Sequence, residues 1–306
     1  MSDEAAQGSV VECFGRRVVV AREPDGAQLA CKLRGRRLSI VAGDRVTVAP
    51  DPAHSGEWIA SERLPRRNVL LRSDSRGLEE PIAANLDQLG VVVAARPECD
   101  PFIVDRYFAG ASYARIEPLL IVNKADLENG CSALPYLAAF SRLGVPVVHV
   151  SAMTHTGLEQ LIGHMRGKRT LLAGQSGVGK SSLTNALVGS QRQAISALSS
   201  GSGAGRHTTV SSSIIALPWG ELADSPGVRD YAPPVVPLSQ VQHGFTEIAA
   251  LSPGCRFQDC LHHREPHCAV RAAAEAGLID PRRYESYRRL LNLTRQLEER
   301  RRGWGG

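Results

Sequence analysis

The residues with the most chemical content form a glycine-rich run, Gly174-Gln175-Ser176-Gly177-Val178-Gly179-Lys180-Ser181, with Ser182 directly behind it. The run satisfies G-x-x-x-x-G-K-[ST], the P-loop pattern, whose glycines let backbone N–H groups turn inward around phosphate oxygens. A strand-like stretch, Thr170 to Ala173, leads in, and a helix-like stretch, Ser182 to Val188, leads out. That context also aims the positive end of a helix at the phosphates. In this setting Lys180 reaches the β- and γ-phosphates and the Ser181 hydroxyl ligates Mg²⁺. The chemistry is that of a nucleoside triphosphate.

Shorter motifs narrow the base and the reaction. Asn123-Lys124-Ala125-Asp126 ends another apolar, strand-like run. A carboxylate at Asp126 can accept from the N1–H and N2–H₂ edge of guanine, which adenine does not offer. Asn123 would hold the loop and contact the base, and the Lys124 stem would lie over the ring. Ser151-Ala152 follows the next strand-like run and would present backbone N–H groups to guanine O6. The serine- and glycine-rich stretch from Ser199 to Gly205 leads into Arg206-His207-Thr208-Thr209, which suits a switch that orders around Mg²⁺ and a γ-phosphate. Thr209 is assigned the Mg²⁺-sensing hydroxyl, with Thr208 the alternative. Asp224-Ser225-Pro226-Gly227 supplies D-x-x-G: Asp224 would hold Mg²⁺ through water, and the Gly227 N–H would meet the γ-phosphate. Val228 follows it, where Ras places the glutamine that orients water, so another group must do that. His207 is the nearest candidate; with Lys180 and Thr209 it makes up the expected catalytic set.

Cys255-x₄-Cys260-x-His262-x₅-Cys268 offers three sulfurs and one imidazole, the donor set of a closed, structural zinc site. His263 and His267 are rival ligands. Cys13, Cys31, Cys99 and Cys131 stand apart, so the cysteine usage suggests metal before a disulfide framework.

These motifs require elements to position them. From about Gly8 to Leu64, short β-rich runs alternate with turns: Val18–Val20, Leu29–Cys31, Leu38–Val41, Val46–Val48 and Trp58–Ala60. Five such strands predict a small barrel, of which the OB-fold is the form that binds nucleic acid. Arg16, Arg17, Lys32, Arg34, Arg36 and Arg37 could give it a basic face, with only Phe14 and Trp58 as stacking platforms. Residues 1–7 read as a frayed start and 65–85 as a polar linker. Leu89–Ala95 is a nearly unbroken apolar run, as in a strand buried on both faces. Helix-like Phe102–Arg115, strand-like Pro118–Val122, helix-like Leu134–Arg142, strand-like Val145–Val150 and helix-like Leu158–Met165 follow. This alternation predicts an α/β domain, completed by a β-like run from Ile214 to Leu222.

The motif order is unusual. Base recognition and Ser-Ala precede the phosphate loop, the switch threonine and D-x-x-G, whereas ordinary small GTPases begin with the phosphate loop. Cutting the ring after D-x-x-G and joining the old ends gives the order seen, a circular permutation that is reasonable where termini lie close. The chain then leaves D-x-x-G through the proline-containing stretch Val228 to Pro237, a path by which nucleotide state could reach the C-terminal module.

Taken together, Pro81-Ile82-Ala83-Ala84-Asn85-Leu86-Asp87-Gln88, the reordered motifs, Gly205-Arg206-His207-Thr208-Thr209, Asp224-Ser225-Pro226-Gly227-Val228-Arg229 and the cysteine cluster resemble the RsgA (YjeQ) family of circularly permuted GTPases. The resemblance implies a multidomain α/β protein with an N-terminal OB-fold barrel (1–65), a central circularly permuted GTPase domain (66–235) and a C-terminal, α-rich zinc-binding domain (236–306). It also implies GTP hydrolysis to GDP, with Mg²⁺ and one structural Zn²⁺, stimulated by the small ribosomal subunit whose late maturation it assists. It supports Cys255, Cys260, His262 and Cys268 as the zinc ligands and His207 as the catalytic histidine. Residues 1–65 match least specifically, through strand pattern and Gly43-Asp44-Arg45-Val46.

Composition agrees with this reading. The 306 residues carry a formal charge of only +5, but Asp280 to Gly306 holds eight arginines against four acids, a plausible contact for a phosphate backbone. No apolar run reaches the ~18 residues of a membrane span, and no secretory pattern opens the chain. A cytoplasmic, monomeric protein that contacts rRNA and no membrane is expected. Two other classes remain at this level. A GTP-gated RNA-binding module would respond to generic RNA, and an ATP enzyme would not need Asn123 to Asp126.

Overall fold

A computed structural model of the chain describes residues 5–35, 39–54, 56–127, 134–196, 212–224 and 231–303, with the backbone alone for 190–196. Strands β1 (Ala6–Phe14), β2 (Arg17–Arg22), β3 (Gln28–Leu33), β4 (Arg45–Pro50) and β5 (Trp58–Arg63) pair in the order β1-β2-β3-β5-β4 and close through a β1–β4 pairing. Alternation sends one face of each strand inward, so Val10, Val18, Val20, Val46, Val48 and Ala60 fill the barrel. Two strand expectations change. Ala6 and Gln7 belong to β1 and are not frayed. Residues 39–41 form no strand, because the Val41 N–H donates to Asp44 Oδ2 at 2.9 Å and its carbonyl accepts from the Asp44 N–H at 3.1 Å. A turn has taken the groups a ladder would use.

Residues 65–85 are no linker. They contain an antiparallel hairpin, β6 (Val69–Ser73) and β7 (Glu79–Ala84). Its apolar residues Leu70, Ile82, Ala83 and Ala84 are buried, while Asp74 closes the turn by accepting from the N–H groups of Arg76 and Leu78 at 2.8 and 2.9 Å.

The central sheet comprises β8 (Gln88–Ala94), β9 (Glu117–Asn123), β10 (Val147–His149), β11 (Arg169–Ala173), β12 (Ser212–Leu217) and β13 (Gly220–Asp224), in the order β10-β9-β8-β11-β13-β12. All pairings are parallel except β12–β13. The expected single run from Ile214 to Leu222 is therefore a hairpin, turning at Pro218 and Trp219, where proline has no N–H for a ladder. Every residue of β8 is buried. Helices α1 (Pro101–Tyr113) and α2 (Leu137–Arg142) cover one face; α3 (Leu158–Met165) and α4 (Lys180–Ser196) cover the other. Read from β11, the chain fills β12 and β13 on one side; β8, β9 and β10 then step outward on the other. That is the spatial order of a nucleotide-binding sheet whose sequence has been re-cut. β12 also pairs with β1, Glu12 opposite Ser213 and Cys13 opposite Ser212, so barrel and sheet run together as eleven strands.

Beyond residue 231 the chain packs α5 (Thr246–Leu251), α6 (Ala269–Glu275) and the long α7 (Pro281–Gly303) around Phe245, Tyr287 and Leu290. This unit docks on α1 through a buried charge cluster. Asp105, fully buried, accepts from Arg282 Nη1 at 2.6 Å and Arg283 Nη1 at 2.5 Å, and Arg283 Nε donates to Glu247 at 2.7 Å. No helix among the described residues is long and apolar enough to cross a membrane.

Candidate nucleotide site and metal centre

The C-terminal ends of β8, β9, β10, β11 and β13 share one edge of the sheet, the edge at which α/β sheets bind ligands. The phosphate loop springs from β11 and runs into α4. Gly174 and Gly179 have φ of 137° and 91°, and both lie where a side chain has no room. A Cβ on Gly174 would overlap the Val92 carbonyl, and one on Gly179 would overlap the Asn123 amide. The backbone can therefore approach β8 and β9 closely and turn its N–H groups inward, as a phosphate cradle requires. Lys180 Nζ is held at the loop by the carbonyls of Gly174 and Gln175, at 2.6 and 2.8 Å. The Gln175 amide oxygen is buried with no partner among the described residues. Ser181 and Ser182, at the first turn of α4, are exposed.

Asn123 joins three loops. Its side chain, 2 % exposed, donates through Nδ2 to the carbonyls of Val178 (2.9 Å) and Gly179 (3.4 Å), and its Oδ1 accepts from the Ala152 N–H at 3.2 Å. Lys124 follows in the left-handed region at φ 61°, a cost of about 1–2 kcal/mol for a non-glycine residue. The turn aims its Nζ at the carbonyls of Gly177 (2.8 Å) and Arg96 (2.9 Å). Buried Ser151 accepts through Oγ from the N–H groups of Met153 and Thr154, at 3.2 and 3.1 Å, fixing the turn that presents Ala152. Asp126 is exposed at the mouth of this edge, and exposed Asp224 ends β13 at the same edge, with β8 and β11 between. The structure thus brings Asn123, Lys124, Asp126, Ser151, Ala152, the loop from Gly174 to Ser181, and Asp224 to a single edge. His207, Thr208, Thr209 and Gly227 lie outside the described residues.

Sequence reasoning overlooked Arg96 and Pro97. Their loop follows β8, the strand next to β11; the Arg96 carbonyl shares Lys124 with Gly177, and the Pro97 ring lies against Gly177. The sheet order carries the signal, since a loop leaving β8 must run past the phosphate loop.

The second cluster lies in the C-terminal unit, against the first turns of α7, where Tyr284 and Tyr287 hydroxyls donate to the carbonyls of His262 and Leu261. The ligand atoms of Cys255, Cys260, His262 and Cys268 all fall within 4.8 Å of one another. Cys255 and Cys268 sulfurs are 3.8 Å apart, and His262 Nδ1 is 3.5 and 3.4 Å from them. Zinc–sulfur bonds of about 2.3 Å and a zinc–nitrogen bond of about 2.0–2.1 Å at tetrahedral angles require edges of about 3.8 and 3.5 Å. The donor set fits zinc. Burial pushes the Cys260 thiol up to about 12 and raises Cys268 as well, so thiolates there need a cation, while burial lowers His262 and keeps its ring neutral. His262 Nε2–H donates to buried Gln242 Oε1 at 2.8 Å, which leaves Nδ1 free for a metal. Glu265 arranges the loop. Burial opposes its ionisation, yet backbone N–H groups, those of Leu261, His263 and Arg264 among them, hold it down at about 2.

Comparison with known proteins places these features. A profile of the RsgA GTPase family matches residues 63–232. The small ribosomal subunit biogenesis GTPase RsgA of Azotobacter vinelandii (strain DJ / ATCC BAA-1303) is 41% identical over 291 residues, covering 93% of this chain and 84% of that protein. The protein of that name from Bordetella pertussis (strain Tohama I / ATCC BAA-589 / NCTC 13251) is 40% identical over 296 residues, covering 95% and 97%. Among solved structures, YjeQ from Thermotoga maritima superposes with a TM-score of 0.74 at 30% identity, covering 95% of this chain and 99% of that one. YloQ, described as a circularly permuted GTPase, gives 0.70 at 26% identity, covering 95% and 96%.

Proposed function

This chain belongs to the RsgA GTPase family and hydrolyses GTP, and from that premise we propose that it binds the small ribosomal subunit and assists its late maturation, with turnover stimulated by the subunit. Its relatives are named as small ribosomal subunit biogenesis GTPases, which supports the partner. The observation that carries the nucleotide reading is the Asn123 bridge, which ties base loop, Ser-Ala turn and phosphate loop into one frame. In the proposed division of labour, the backbone of residues 174–179 and Lys180 hold the phosphates. Ser181, Thr209 and, through water, Asp224 hold Mg²⁺; the Gly227 N–H meets the γ-phosphate. Asp126 reads guanine and Ala152 meets its O6, with Ser151 setting the turn. Bound Mg²⁺ supplies charge neutralisation at the transferring phosphate. His207 positions the attacking water, since Val228 cannot.

The units we propose are an OB-fold barrel at 1–65, a permuted GTPase domain at 66–235 and a zinc domain at 236–306, working as a cytoplasmic monomer that contacts rRNA. Cys255, Cys260, His262 and Cys268 hold one structural zinc, which fixes loop 255–268 against α7. Base recognition is tested with Asp126→Asn: turnover is expected to shift from GTP to xanthosine triphosphate. Equal GTP use by both proteins would sink the assignment.

A further inference from the structure

A purine presents an edge and two faces, and Asp126 and Ala152 account only for the edge. The large apolar side chains exposed among the described residues are Leu78, Leu127, Met153, Phe257 and Leu278. Two of them flank the edge contacts directly: Leu127 follows Asp126, and Met153 follows Ala152. Exposed apolar side chains scattered singly need no explanation, but a pair at the mouth of one site marks a surface that a ligand covers. Met153 is the most exposed of them, at 81 %.

That exposure is built into a closed turn and is not that of a loose loop. The Ser151 N–H donates to the Thr156 carbonyl at 3.0 Å, and Ser151 Oγ accepts from the N–H groups of Met153 and Thr154. Gly157, at φ 73°, ends the turn where a Cβ would overlap the His149 carbonyl. On the neighbouring loop, the Ala125 N–H donates to the Val150 carbonyl at 3.0 Å, and the Leu127 N–H to the Lys124 carbonyl at 3.1 Å. With Asn123 Oδ1 accepting from the Ala152 N–H, both loops are tied to the sheet and to one another, and the two apolar side chains are left outside.

The two sides of the base site differ. Lys124 extends from the β9 loop towards the β8 and β11 loops, where the Arg96 and Gly177 carbonyls hold its Nζ. Met153 stands on the β10 loop, on the other side of β9 in the sheet. A purine with its edge on Asp126 and Ala152 leaves one face to the Lys124 stem and needs a cover for the other. A thioether suits that place, because it is unbranched and polarisable and its sulfur packs favourably against aromatic rings.

We infer that Met153 covers the face of the guanine base that Lys124 leaves open, with Leu127 at the rim, and that this contact sets part of the nucleotide affinity. The inference rests on the assignment of Asp126 and Ala152 to the guanine edge. It also makes Met153 a redox-sensitive member of the site, since a sulfoxide is polar where the thioether is apolar. Bound nucleotide shields the sulfur, and oxidation of the free protein weakens the site.

The test is a peroxide footprint on the full-length protein. Hydrogen peroxide gives one oxygen atom to a thioether and leaves as water, the sulfur being oxidised by two electrons. The chain has three methionines, and Met165, fully buried, is the internal control. Saturating GDP or a non-hydrolysable GTP analogue is expected to slow sulfoxide formation at Met153 severalfold, read by peptide mass spectrometry. Truncation of so exposed a side chain spares the fold, so Met153→Ala is expected to raise the dissociation constants of GDP and of the GTP analogue by one common factor, about two- to tenfold. Met153→Leu should keep most of the affinity and lose its sensitivity to peroxide. Equal oxidation of Met153 with and without bound nucleotide, or unchanged affinities in Met153→Ala, overturns the proposal. Binding that selects GDP over ADP while Met153 stays unprotected overturns the cover and spares the guanine-edge assignment. Protection of Met153 by ADP equal to that by GDP does the reverse.

Discussion

Asn123 and Gln242 show how single buried amides organise the two centres. Each spends both ends of a short side chain, or one strong bond, on holding a neighbour in place. An aspartate at 123 would face the Val178 and Gly179 carbonyls with no hydrogen to give, a penalty of about 1–3 kcal/mol for unsatisfied buried groups. Gln242 acts on zinc without touching it, by accepting from His262 Nε2. Gln242→Leu is expected to lower zinc affinity by about 10–100-fold, read by competition with a chromophoric chelator; unchanged affinity would contradict the role. The four ligands were legible in the sequence because cysteine and histidine spacing is explicit. Gln242 was not, since it lies 20 residues from His262 on another element. Nothing in a glutamine's letter reports which ring it faces. Asn123 was legible as a base-loop residue, but its hold on the Val178 and Gly179 carbonyls depends on how β9 and β11 flank β8.

At the scale of elements, the β6–β7 hairpin is the piece that local reading missed. Its sequence is polar enough to pass for a linker, and its few apolar residues acquire meaning only against α1. The hairpin clamps the chain just beyond D-x-x-G. The Ser73 N–H donates to the Ala232 carbonyl at 2.9 Å and its hydroxyl to the Pro233 carbonyl at 2.9 Å. Tyr231 stacks on Tyr107 with ring centroids 4.8 Å apart and donates to the Leu71 carbonyl at 2.9 Å. Close approach of α1 at Gly110 makes room for the Tyr231 hydroxyl. Tyr231→Ala is expected to cost about 3–5 kcal/mol, as truncation of a buried aromatic does, and Tyr231→Phe only about 0.5–1.5. Equal denaturation midpoints for the two variants would show that the hydroxyl, and not the ring, is the anchor. The strands and helices of the central sheet were read well because buried parallel strands are continuous apolar runs. The β12–β13 hairpin was lost for the same reason: its two strands and turn together look like one apolar run.

For the whole molecule, these anchors redirect the route from switch to C-terminal unit. The segment after D-x-x-G is pinned at Tyr231, so a shift there acts on the hairpin and α1. The hairpin turn touches the C-terminal end of α7, where Arg300 donates to the Ser75 carbonyl at 3.4 Å, and α1 holds the start of α7 through Asp105. Exchanging GDP for a GTP analogue is therefore expected to change amide hydrogen exchange in residues 69–84 and at both ends of α7. Identical protection in the two states would contradict the coupling. The barrel joins the same frame through β1 and β12, so the barrel, the central sheet and the C-terminal unit are linked by direct contacts. The claim that all this serves the small ribosomal subunit is tested most directly by GTP turnover of the full-length protein, alone, with isolated small subunits, and with generic RNA. Turnover is expected to be slow alone, to rise with small subunits by an amount that a partner supplying transition-state charge can carry to about 10³–10⁵-fold, and to show no comparable rise with generic RNA. Equal turnover in all three conditions would contradict that claim.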